Sequence, residues 1–72
     1  MPTFGEKLRT LREKQGISLR QLASMLAINS HSFISEIETG KKKPSLELVI
    51  KVSDLFNVPL EQLARDELDL DG

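Results

Sequence analysis

The sequence contains no cysteine, tryptophan or tyrosine, and its one histidine is His31. Without Cys there is no disulfide framework, no thiolate nucleophile and no thiolate metal site. No nucleophile–base pair, metal-binding cluster or phosphate-cradling glycine loop stands out, so neither enzyme activity nor a cofactor is expected. No apolar run approaches the roughly 18 residues of a membrane span. The opening Met-Pro-Thr-Phe-Gly-Glu lacks the basic and apolar regions of a signal peptide, and a soluble cytoplasmic protein is the expectation. Nothing alternates with period two, and there is no internal repeat or low-complexity run.

What is present is a single domain, residues 1–72. A chain this short folds with a small core and thin stability. Pairing with a second copy would add to it. The apolar 39% and charged 29% are ordinary for a globular protein, so composition alone does not set the class. The net charge of −1 hides an asymmetry. Residues 1–43 carry eight Lys or Arg against four Glu; residues 44–72 carry two against seven Asp or Glu. One half can meet a polyanion while the other faces away from it.

The chain reads as five short helices, an all-α fold. The first spans about 4–15. Thr3 and Glu6 have capping-box spacing, Phe4, Leu8 and Leu11 share a face, and Gly16 supplies a left-handed stop. The second spans about 19–26, with Ser18 and Gln21 as another capping box and Leu19, Leu22, Ala23 and Leu26 as its buried stripe. After the turn Ala27-Ile28-Asn29, the third spans about 31–39 between the N-cap Ser30 and the stop Gly40. The basic loop Lys41-Lys42-Lys43-Pro44 follows. Ser45 caps a fourth helix, about 46–56, that is apolar on more than one side and therefore central or partnered. Asn57 ends it, and Val58-Pro59-Leu60 opens a fifth helix over about 60–65. The tail 66–72 is acidic.

Two short helices separated by three residues, the second poor in apolar positions, have helix-turn-helix spacing. In that arrangement the second helix lies in the major groove of DNA and reads base edges with its N-terminal residues. At 100° per residue, Ile34, Ile37 and Glu38 fall on one side of the third helix and Ser32, Ser35, Glu36 and Thr39 on the other. His31 and Phe33 lie on the flanks. Small hydroxyls on an outer face suit a helix whose backbone approaches a partner closely.

Leu11-Arg12-Glu13-Lys14-Gln15-Gly16, then Leu22-Ala23, then Ile34-Ser35-Glu36-Ile37-Glu38-Thr39-Gly40-Lys41-Lys42-Lys43-Pro44-Ser45 resemble the phage Cro/repressor (XRE) helix-turn-helix family. The resemblance runs from about Phe4 to Leu63 and is most specific at the segment Ser35 to Ser45. It implies a five-helix, phage-repressor-like domain with the third helix as recognition helix. It also implies a partly buried ion pair between Arg12 and Glu38, which would explain a carboxylate on the anchoring face. The sequence departs from the family in two places. The stretch from Leu22 to Gly40 is one residue longer than usual, with the extra residue placed in the turn, where Ala27 or Asn29 replaces a glycine. The glutamine often opening the second helix is Leu19, with Arg20 and Gln21 nearby.

From this reading His31, Ser32, Ser35 and Glu36 are candidate base contacts, Glu36 as acceptor from a cytosine amino group. Arg20, Gln21, Asn29, Ser30, Lys41, Lys42 and Lys43 are candidate phosphate contacts. Phe33 is expected to pack at the junction of the second and third helices. Val52, Leu55, Val58, Leu60, Leu63 and Leu68 are candidates for a two-fold dimer surface. The expected function is that of a dimeric transcription regulator on a two-fold DNA operator, similar in size to restriction–modification controller proteins. There is no room for a separate ligand-sensing domain, so no small-molecule ligand, metal or membrane partner is expected. An antitoxin that autoregulates its own operon, and a protein-interaction module on the same fold, are the alternatives.

Overall fold

A computed structural model describes residues 3–65. Five helices follow one another: α1 (Phe4–Lys14), α2 (Leu19–Met25), α3 (His31–Glu38), α4 (Leu46–Phe56) and α5 (Leu60–Ala64). No strand occurs among the described residues. The tail 66–72, and with it Leu68, lies outside them.

Local chemistry fixes where each helix starts. Thr3 Oγ1 accepts from the Glu6 amide while the Glu6 carboxylate accepts from the Thr3 amide, and Ser18 and Gln21 do the same for α2. Ser30 and Ser45 cap α3 and α4 through single side-chain bonds to Phe33 N–H and Leu48 N–H. The Thr3 bonds favour the ionised form of Glu6 and hold its carboxyl below the usual glutamate range.

The ends are equally regular. After α1 the Ile17 amide donates to Arg12 C=O and Gly16 to Glu13. After α3, Lys41 donates to Glu36 C=O and Gly40 to Ile37. Both are Schellman closures around a left-handed glycine, φ +66° at Gly16 and +83° at Gly40. The end of α2 repeats the pattern without glycine. Ile28 donates to Ala23 C=O, Ala27 donates to Ser24 C=O, and Ala27 itself carries φ +59°. Of the two residues expected to replace a turn glycine, Ala27 does so; the long turn is a Schellman closure followed by Asn29 and the cap Ser30. Asn57, φ +55°, ends α4, and the adjacent turn is tied by Ser53 Oγ donating to Val58 C=O at 2.6 Å.

The core gathers one stripe from every helix: Phe4 and Leu8, then Leu22, Ala23 and Leu26, then Ile34 and Ile37, then Leu48, Val49 and Val52, then Leu63. α3 packs on α2 and α1, and α5 on α4 and α1. Gly5, not singled out by the sequence pattern, makes the α1–α3 approach possible. A Cβ there would strike the carbonyl oxygens of Ile37 and Glu38, both backbone atoms that cannot swing aside. α4 is central along Leu48, Val49 and Val52, whereas Leu46 and Ile50 stay exposed.

This packing corrects part of the dimer expectation. Val52 and Leu63 are fully enclosed, so they complete the core of one chain and cannot face a partner. Leu55 and Val58 are half-buried, and Leu60 is exposed.

Candidate nucleic-acid interface

The anchor of α3 is electrostatic as well as apolar. Arg12 Nε donates to Glu38 Oε2 at 2.8 Å and Nη2 to Oε1 at 3.1 Å, a bidentate pair joining α1 to α3. Its third nitrogen, Nη1, donates to Ile17 C=O at 3.0 Å, so one guanidinium ties α1, the α1–α2 turn and α3. The two side chains are only 14% and 5% exposed, which places the pair in the scaffold and out of reach of a ligand. The hydrogen bonds to Glu38 hold the Arg12 pKa above its ordinary value.

With Ile34, Ile37 and Glu38 turned inward, α3 presents the opposite side outward as the periodicity predicts. His31 and Ser32 are exposed and Ser35 and Glu36 half-buried. A shallow groove where α2 meets the start of α3 is lined by Arg20, Ala23, Ser24, Ala27, Ile28, Asn29 and His31. It brings together three predicted contact residues from separate segments: Arg20, Asn29 and His31. Ser24 and Ala27 were not expected there. Their signal is size: Ser24 on α2 and Ala27 in the turn after it are small and leave the groove open.

Two predicted phosphate contacts have local duties. Gln21 Oε1 accepts from the Ser18 amide at 2.7 Å, which leaves its side-chain nitrogen as the end able to donate outward. Ser30 Oγ accepts from the Phe33 amide at 3.3 Å. Asn29 is exposed beside it.

At the far end of α3 the chain turns back on itself. The amides of both Lys41 and Lys42 donate to Glu36 C=O, at 2.9 and 3.2 Å. This folds the basic loop against the helix. Lys42 Nζ sits 3.5 Å from Glu36 Oε1 and 5.5 Å from the centre of the Phe33 ring. Phe33 is partly buried against the core. Lys41, Lys42 and Lys43 are all exposed. Among the described residues no group of acidic or imidazole side chains has the geometry of a metal site, and no helix is long and apolar enough to cross a membrane.

A capped seven-residue helix, a left-handed turn and an eight-residue helix with a polar outer face define a helix-turn-helix protein. A helix-turn-helix family model matches residues 8–63, and the chain belongs to that family, of the Cro/repressor type. A Pyrococcus furiosus protein with a name of the HTH-type transcriptional regulatory class is 39% identical over 56 residues, covering 78% of this chain and 18% of its own. The HTH-type transcriptional repressor RghR of Bacillus subtilis is 36% identical over 64 residues, covering 88% of this chain and 47% of its own. The transcriptional regulator ClgR of Mycobacterium tuberculosis is 35% identical over 71 residues, covering 88% and 62%. The chain therefore spans between 18% and 62% of the length of these relatives.

Proposed function

We propose that this chain is a DNA-binding transcription regulator that lays α3 in the major groove of a duplex. The observation that carries the reading is the groove joining Arg20, Asn29 and His31 at the start of α3, with the basic loop Lys41 to Lys43 at its other end. A duplex presents bases between two phosphate tracks. A recognition helix flanked at both ends by cations and amide donors matches that pattern. His31, Ser32, Ser35 and Glu36 face the bases; Arg20, Gln21, Asn29, Ser30 and the lysine loop meet the phosphates. The names of the relatives, all transcriptional regulators, favour this function over an interaction module that has lost DNA binding. An antitoxin role would use the same surface for DNA and a second one for protein.

The operator is a two-fold site read by a homodimer, with half-sites about one helical turn apart. Leu60, with Leu55 and Val58 beside it, is the part of the predicted apolar surface that remains available for pairing. The regulator has no catalytic role and acts in the cytoplasm, where its operator lies.

Selection from a random duplex pool at moderate salt tests this. Enrichment of a two-fold motif with half-sites about 34 Å apart is the expected result. Retention without enrichment that disappears as salt rises would reduce the chain to a nonspecific polyanion binder and overturn the reading.

A further inference from the structure

The three loop lysines do not stand in equivalent places. Lys42 has its ammonium both 3.5 Å from the Glu36 carboxylate and 5.5 Å from the centre of the Phe33 ring. Phe33 is partly buried against the core, and the Lys42 backbone is placed by the hydrogen bond its amide donates to Glu36 C=O. The ammonium is therefore held from two sides next to the one acidic group on the outer face of α3. Lys41 is exposed and has no such side-chain partner among the described residues.

We infer that Lys42 is a positioning residue for base selection through Glu36, which takes it out of the set of loop lysines that meet the phosphates and leaves that role to its neighbours. The inference rests on the reading of α3 as the recognition helix. A carboxylate brought between phosphate tracks is repelled unless a cation accompanies it or a cytosine amino group meets it. Lys42 supplies the cation and, by occupying one side of Glu36, restricts which way the carboxylate points. Its partner on DNA is a C·G pair in the major groove, with the cytosine amino group donating to the Glu36 oxygen left open. A single ion pair as exposed as this contributes little to folding, so its consequence falls on selectivity and leaves stability alone.

The test compares Lys42→Met with Lys41→Met, using the selected operator and variants changed at one base pair in turn. One well-placed contact gives a preference of about tenfold at its base pair. Lys42→Met is expected to lower that preference to about threefold or less at one C·G pair, the same pair affected by Glu36→Gln. In Glu36→Gln, adding Lys42→Met changes nothing further at that pair, and Lys42→Arg in the otherwise unchanged chain restores the preference. Lys41→Met weakens every variant alike and reduces the slope of log affinity against log salt by about one. The inference is overturned if Lys42→Met also acts uniformly with a reduced salt slope, or if no base pair depends on Glu36 although a motif is selected. Selection of no motif at all would remove the reading of α3 itself, which separates the two failures.

Discussion

Ala27 and Gly5 show how much a single backbone position decides here. Ala27 closes α2 in the left-handed region, which costs an L-residue about 1 kcal/mol relative to glycine. Ala27→Gly is accordingly expected to raise stability by up to about 1 kcal/mol, or roughly 4–8 °C in Tm for a domain this small, measured by thermal unfolding. A fall in Tm would mean that the turn gains more from a stiffer unfolded chain than it loses in strain. Gly5→Ala works the other way. Its Cβ meets the carbonyls of Ile37 and Glu38, so α1 and α3 must separate, and a loss of about 1–3 kcal/mol is expected in denaturant unfolding. Neither position is readable from hydrophobic period alone. The missing turn glycine narrowed the first to Ala27 or Asn29, but only backbone geometry chose Ala27. Gly5 sits inside a helical pattern and gives no signal until α3 is known to cross it.

The elements are bounded by chemistry that the sequence displays directly. Thr3 with Glu6, Ser18 with Gln21, Ser30 and Ser45 are all N-caps in the structure, because short hydroxyl side chains have one favourable use before a helical stripe. The α1 cap is also a pH sensor of folding. The Glu6 pKa is lower in the folded chain than in the unfolded one, so its contribution is present above about pH 4.3 and fades as pH falls through the lowered folded value. Stability measured across that acid range is expected to drop less steeply in Glu6→Gln, and equal slopes would remove the link. The Arg12–Glu38 pair carries a larger effect. Arg12→Met or Glu38→Leu alone strands a shielded charge, and each is expected to cost about 3–5 kcal/mol. The double variant strands none and is expected to be more stable than either single variant. Equal additive losses in that four-member cycle would show that the two side chains act independently. What the elements concealed is burial. Helix α4 looks apolar nearly all round, and the pattern does not say which side is inner. Val52 and Leu63 read as surface in sequence and lie in the core because α5 folds back across α4 and α1.

At the scale of the whole molecule, charge and shape divide the labour. The basic half of the sequence builds α1 to α3 and the loop after them; the acidic half builds α4, α5 and the tail. The candidate contact segments 20–21 and 29–36 are separated in sequence and are brought together because α2 and α3 pack on each other, while 41–43 is folded back on the far end of α3 by the hydrogen bonds to Glu36 C=O. The groove at Arg20, Asn29 and His31 was legible from family spacing, since each residue sits at a helix end that caps define. The pairing of Lys42 with Glu36 and Phe33 was not legible, since a lysine run after a helix gives no sign of which member folds back.

The central claim is that the outer face of α3 and its two flanks contact duplex DNA. Titrating the isotope-labelled chain with its selected operator, and following backbone amides by NMR, addresses this residue by residue. Shifts concentrated at residues 18–21, 29–36 and 40–43, with α1 near Thr10 and α5 near Gln62 unchanged, are the predicted result. Shifts centred on α1 and α5, with α3 silent, would contradict the claim and place the binding surface on the opposite side of the fold.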